Sequence, residues 1–187
     1  TDMTTTEFNK KYLNLKIEVN QSIISNYNIT NNSIPSSIDW RAEGLVTNVK
    51  DQGQCGSCWA FSAIGTLEGQ WAKNTSQLVS LSEQNLVDCA GNYSCDGCEG
   101  GWPDNAMEYV IDNKGVDTEK SYGYQGIDEA CEYNKTTTGA AIHNVTRLPV
   151  GNMTALYDAI ANIGPISVAL DAEYDFQMYS SGIFTST

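Results

Sequence analysis

The run Asp51-Gln52-Gly53-Gln54-Cys55-Gly56-Ser57-Cys58-Trp59-Ala60-Phe61 sets two glycines, two cysteines and a side-chain amide directly ahead of a helix-period pattern. From Trp59 onward, Phe61, Ile64, Leu67 and Trp71 recur at spacings of three and four, the period of a helix with one buried face. Cys58 therefore stands at a helix start, where unpaired N–H groups and the macrodipole favour a thiolate. Gly65 and Gly69 leave room for a neighbouring element to approach that helix. Ahead of it, Gly53 and Gly56 permit a turn whose N–H groups converge on one spot, and Gln52 adds a side-chain donor. A thiol beside convergent donors is the equipment of acyl transfer through an oxyanion hole. The competing reading of Cys55 and Cys58 is an ordinary disulfide or redox pair.

A chain of 187 residues is long enough for one domain or two small lobes with a real core. Its net charge of -13, with only 10 Lys and Arg, argues against nucleic acid as a partner, because phosphate binding needs clustered cations. No run of about 18 apolar residues is present, so no membrane span is expected. The chain opens on Thr1 without a signal-peptide pattern, and its first residue is expected not to be the start of the gene product. Asn-x-Ser/Thr acceptor sequences begin at Asn20, Asn28, Asn31, Asn74, Asn92, Asn134, Asn144 and Asn152. With 17 Asn and 32 Ser plus Thr in the chain, chance supplies about three, so the excess points to a secretory pathway; an Asn-rich genome is the bland alternative. Six cysteines in that setting imply disulfides, and a nucleophilic Cys58 leaves an odd number.

Residues 1–33 are Thr-, Asn- and Ser-rich, lack cysteine and offer little to a core, as a disordered tail would. After the Cys58 helix, Ser82 is placed to cap a short helix that turns Leu86 and Val87 inward. Residues 90–101 form a Gly- and Cys-rich loop. Pro103 then suits a first helical position, with Ala106, Met107, Val110 and Ile111 on one stripe and Gly115 as the stop. Beyond residue 140 the pattern shifts to short apolar runs: 140–145, a helix over 154–163, and Ile166–Leu170 as a buried strand. A helical half followed by a strand-rich half predicts an α+β protein of two lobes.

Together these motifs resemble the papain family of cysteine proteases, in its cathepsin L-like branch. Cys55-Gly56-Ser57-Cys58-Trp59 matches the family pattern around the nucleophile, and local motifs stay in register from Phe8 to Phe184. The resemblance implies a cysteine-type endopeptidase with a papain-like two-lobe fold, acting through a Cys58 thioester on protein or peptide substrates, with no cofactor and no metal. Asp2–Phe8 is similar to the late part of the family's inhibitory propeptide, and Ile34-Pro35 to a mature N-terminus. The implied organisation is a propeptide portion over 1–33, a helical lobe over 34–139 and a partial strand-rich lobe over 140–187. A monomer inhibited by its own propeptide, lysosomal or secreted, is expected. Gln52 and the N–H of Cys58 would be the oxyanion donors. Gly100 and Gly101 would bond an extended substrate, and Trp102, Pro103 and Ala169 would line a pocket for a large apolar side chain. Trp102 as a plain core aromatic is the alternative. The implied disulfides are Cys55 with Cys98 and Cys89 with Cys131. Cys95 has no family counterpart; it is free, displaces Cys98, or pairs outside this sequence. Glu99 stands where relatives carry Asn, adding negative charge beside the cleft.

In the family, a histidine protonates the leaving amine and an asparagine orients it, both about 130–150 residues beyond the nucleophile. That places them at about 188–208 here, so the sequence reads as truncated at both ends, with the fragment inactive by itself. The single histidine, His143, is 85 positions after Cys58 and reads as a surface or strand-face residue rather than the base. Two rivals remain: a papain-like protein that binds or inhibits without catalysis, and a structural zinc module on Cys55-x-x-Cys58 and Cys95-x-x-Cys98. The second has 36 residues between its pairs where about 15–20 is usual.

Overall fold

The computed structural model describes residues 4, 6, 24–30, 32–172 and 174–185; most of the propeptide-like stretch Asp2–Phe8 and all of Phe8–Leu13 lie outside them. Helix α1 (Cys58–Thr75) is the axis, and α2 (Glu83–Cys89) and α3 (Pro103–Asn113) pack against it. The buried face of α1 runs through Trp59, Ala60, Ala63, Ile64 and Leu67, whereas Phe61 and Trp71 are only half-buried. The face is thus rotated from the expected stripe. Two alanines bring the neighbouring helices close, and small residues carry little weight in an apolar period. Of the two glycines, Gly69 is the close approach: a methyl group there would stand 2.7 Å from Cγ of Pro165, while Gly65 faces open space.

Ser82 caps α2, its hydroxyl oxygen accepting from the N–H of Asn85 at 2.9 Å, and Leu86 and Val87 are buried. Pro103 opens α3 at the first helical position. The left-handed residue that ends α3 is Lys114 (φ 64°) rather than Gly115, whose N–H bonds back to the carbonyl of Val110 at 3.0 Å. Disulfides join Cys55 to Cys98 and Cys89 to Cys131, and Cys58 and Cys95 remain thiols. Cys95 is 4 % exposed, and burial pushes its thiol up to about 11.

Below α1 a buried charge cluster fixes the strand-like approach to residue 52. Lys50 Nζ donates to Glu68 Oε1 at 2.8 Å, to Glu83 Oε1 at 2.7 Å and to the carbonyl of Leu81 at 3.1 Å. Thr47 closes it with a 2.6 Å bond from its hydroxyl to Glu68 Oε2. One ammonium faces two carboxylates, and Glu83 Oε2 is buried without a hydrogen-bond partner. Burial accordingly pushes the Glu83 carboxyl up to about 7, against the pull of Lys50.

The strands are short. β2 (Val116–Asp117) pairs antiparallel with β3 (Thr138–Ala140), and β1 (Ile24–Asn26) pairs in parallel with β4 (Val145–Arg147), Ile24 opposite Val145. The run 140–145 is therefore divided between two sheets. β3 joins the helical half, and β4, tied to α3 by the Arg147–Asp104 ion pair, receives the N-terminal segment. Helix α4 (Met153–Asn162) is capped by Asn152, whose side chain accepts from the N–H of Ala155 at 3.0 Å, and α5 (Tyr174–Gln177) follows.

Ile166–Leu170 is not a buried strand: among the described residues it has no ladder, and Val168 and Leu170 are each 52 % exposed. A strand needs a partner for its backbone groups. Here the carbonyl of Val168 accepts instead from the hydroxyl of Ser62 at 3.2 Å, so the segment braces α1. Among the described residues, no helix is long and apolar enough to cross a membrane.

Candidate active site

Cys58 is the first residue of α1 and half-buried. The residue before it, Ser57, occupies the cap position but does not cap the helix. Its hydroxyl meets the Tyr124 hydroxyl at 2.6 Å, and the Tyr124 hydroxyl donates to the carbonyl of Gln52 at 2.8 Å. A phenol has one proton to give, so Ser57 is the donor to Tyr124. The N–H groups of Cys58 and Trp59 act on the Cys58 sulfur, which both stabilise as thiolate. Burial is the larger effect and moves the Cys58 thiol above its ordinary value. The helix start alone does not activate the sulfur, contrary to the simplest expectation from its position.

Gly53 adopts a left-handed φ of 62°, which lets the 52–56 turn fold back on itself. Gln52 Nε2 donates to the carbonyl of Cys55 at 2.8 Å. That bond uses one of the amide's two protons and holds the group in place. The loop 97–102 is fastened to the same turn. Besides the Cys55–Cys98 disulfide, Gly56 N–H donates to the carbonyl of Cys98 at 2.9 Å and Trp59 Nε1 to the carbonyl of Gly97 at 3.1 Å. Gly101 lies flat on the Trp59 indole, where a methyl group would be 2.8 Å from Cδ2, and Gly100 has φ 114°. Trp102 is half-buried, stands outside the core cluster and carries a buried Nε1 without a hydrogen-bond partner; Pro103 follows as the start of α3.

On another side, the Ser62 and Ser167 hydroxyls meet at 2.7 Å, one helical turn along from Cys58. Ser62 also donates to the carbonyl of Val168 at 3.2 Å, and Ala169 beside it is exposed. His143 is exposed between β3 and β4 and is not among the groups that act on the Cys58 sulfur. A cavity of 460 Å³ is lined by Lys50, Phe61, Glu83, Glu119 and Tyr124 among others, but not by Cys58. Sequence reasoning missed Tyr124, Ser62 and Ser167. Tyr124 is 72 positions from Gln52, and no local pattern announces such a contact.

Residues 34–187 match the model of the papain family of cysteine proteases. The chain belongs to that family. It is 54 % identical over 153 residues to cathepsin L1 of Drosophila melanogaster, a match covering 81 % of this chain and 41 % of that protein. It is 48 % identical over 180 residues to a cathepsin L-like peptidase of Aedes aegypti, covering 96 % of this chain and 52 % of that one. Among solved structures it superposes on digestive procathepsin L 3 of the Tenebrio molitor larval midgut with TM-score 0.91 and 38 % identity, over 99 % of this chain and 59 % of that one. The fold is the papain-like α+β fold of two lobes, with the second lobe covered in part. The chain spans about half the length of the curated relatives it matches.

Proposed function

We propose that this chain carries the nucleophile, oxyanion donors and part of the substrate cleft of a cathepsin L-type cysteine endopeptidase. One observation carries the reading: a free thiol at the first position of α1, with the backbone N–H groups of Cys58 and Trp59 acting on it. Cys58 attacks the peptide carbonyl, and the carbonyl oxygen takes its developing charge against the Cys58 N–H and the second proton of Gln52 Nε2. A thioester forms as the amine leaves, and water hydrolyses it. Gly100 and Gly101, free of side chains, bond the substrate backbone as an added strand does. Trp102, Pro103 and Ala169 receive the side chain second from the scissile bond on the acyl side.

The leaving amine needs a proton donor, and the raised thiol needs an imidazolium to hold it as thiolate; His143 does neither from its exposed position. Residues 1–33 act as an inhibitory propeptide on a monomer that passes through the secretory pathway to a lysosome or the exterior. The acceptor asparagines, of which Asn28, Asn74, Asn92, Asn134, Asn144 and Asn152 are exposed, carry glycans along the way. The zinc reading loses two of its four sulfurs to the Cys55–Cys98 disulfide. A vinyl sulfone tests the proposal. The 187-residue chain is expected to label slowly, only at Cys58, with no turnover of a peptide substrate; label at Cys95 instead, or labelling that survives Cys58→Ser, overturns it.

A further inference from the structure

Asp158 lies on α4, 1 % exposed, and takes no part in the Cys58 site. Four donors converge on its carboxylate. The Tyr27 hydroxyl reaches Oδ2 at 2.5 Å and the Thr30 N–H the same oxygen at 2.8 Å. The Thr30 hydroxyl reaches Oδ1 at 2.8 Å and Asn162 Nδ2 the same oxygen at 2.9 Å. Three of the four come from one short stretch, 128 and 131 positions away in sequence. These bonds hold the Asp158 carboxyl below its usual range, the Tyr27 hydroxyl contributing most.

The stretch that supplies them continues β1. Three residues pair in parallel with β4, and the Tyr27 N–H extends the ladder to the carbonyl of Arg147 at 3.1 Å. A ladder this short neither holds a segment in water nor sets its register, since a slip of one residue exchanges its two faces at little cost. The convergence on Asp158 removes that freedom. A tyrosine and a threonine three positions later meet one buried carboxylate, and neither reaches it after a slip.

We propose that the β4 edge and the Asp158 carboxylate form a receptor for an extended segment of this chain, read by its Tyr27-x-x-Thr30 spacing. The anchor stands on these contacts; its consequence, holding the N-terminal segment in place until it is cut away, rests on the reading of residues 1–33 as a propeptide. Once the segment leaves, Asn162 alone of the four donors remains to Asp158.

Hydrogen exchange on the full chain tests this. In Asp158→Asn, and separately in Tyr27→Phe with Thr30→Val, the Tyr27 and Thr30 amides are expected to exchange at least about tenfold faster, while α1 is unchanged. Wild-type exchange at both amides in both variants overturns the anchor. Iodoacetamide labelling of Cys58 in the same variants reads the consequence separately. Faster exchange with faster labelling supports both, and faster exchange with unchanged labelling keeps the anchor and removes its inhibitory role.

Discussion

Cys58 shows how position and environment oppose each other at one atom. The helix start offers two N–H groups, burial withdraws water, and burial wins, leaving the thiol above its ordinary value. Thiolate chemistry in this chain is therefore expected to rise only through the alkaline range. Iodoacetamide alkylation of Cys58 followed against pH should climb above about pH 8.5. An acid shoulder near neutrality would reveal an imidazolium partner and contradict the placement of His143. Tyr124 ties Ser57, at the cap position of α1, to the carbonyl of Gln52. In Tyr124→Phe both contacts are broken, and the chain is expected to lose about 1 kcal/mol, read by chemical denaturation.

At the scale of elements, the helices were legible because their causes are local. Ser82 caps α2, and Pro103 opens α3 at the position that dispenses with an N–H. Ser82→Ala removes both the cap and the 2.6 Å donor to the carbonyl of Tyr122, and is expected to destabilise the chain by about 1–2 kcal/mol, as a lowered melting temperature would report. Gly69→Ala tests the contact of α1 with Pro165. Overpacking of this kind costs about 1–3 kcal/mol, whereas Gly65→Ala, facing open space, is expected to stabilise by about 0.5–1 kcal/mol. Where the cause is distant, the elements were not legible. Ile166–Leu170 has the composition of a buried strand, but it forms no ladder among the described residues, and the carbonyl of Val168 accepts from Ser62 on α1. Gly115 follows the end of α3 as its position in the sequence predicts, but the left-handed cap residue is Lys114.

At the scale of the whole molecule, two buried carboxylates pull stability in opposite directions with pH. Glu83 is held at about 7, above its unfolded value, so its contribution is complete in acid below about 4.5 and is lost as pH rises through about 7. Asp158 is held below its unfolded value, so its contribution is present above that value and is lost as pH falls through the folded one. Denaturation midpoints are expected to fall between about pH 4.5 and 7, and Glu83→Gln should flatten that slope. A variant that leaves the slope unchanged would assign it to other groups.

The sequence by itself determined the helix bearing Cys58, the caps that bound its neighbours and the family, because each is written in residues close along the chain. Only the tertiary structure decided that Ser57 turns to Tyr124, that Lys50 faces two carboxylates, and that residues 27–30 meet Asp158. Those contacts join positions tens to more than a hundred residues apart. Periodicity and turn chemistry report on neighbours in sequence, and the environment that sets the charge of a thiol or a carboxylate is made by neighbours in space.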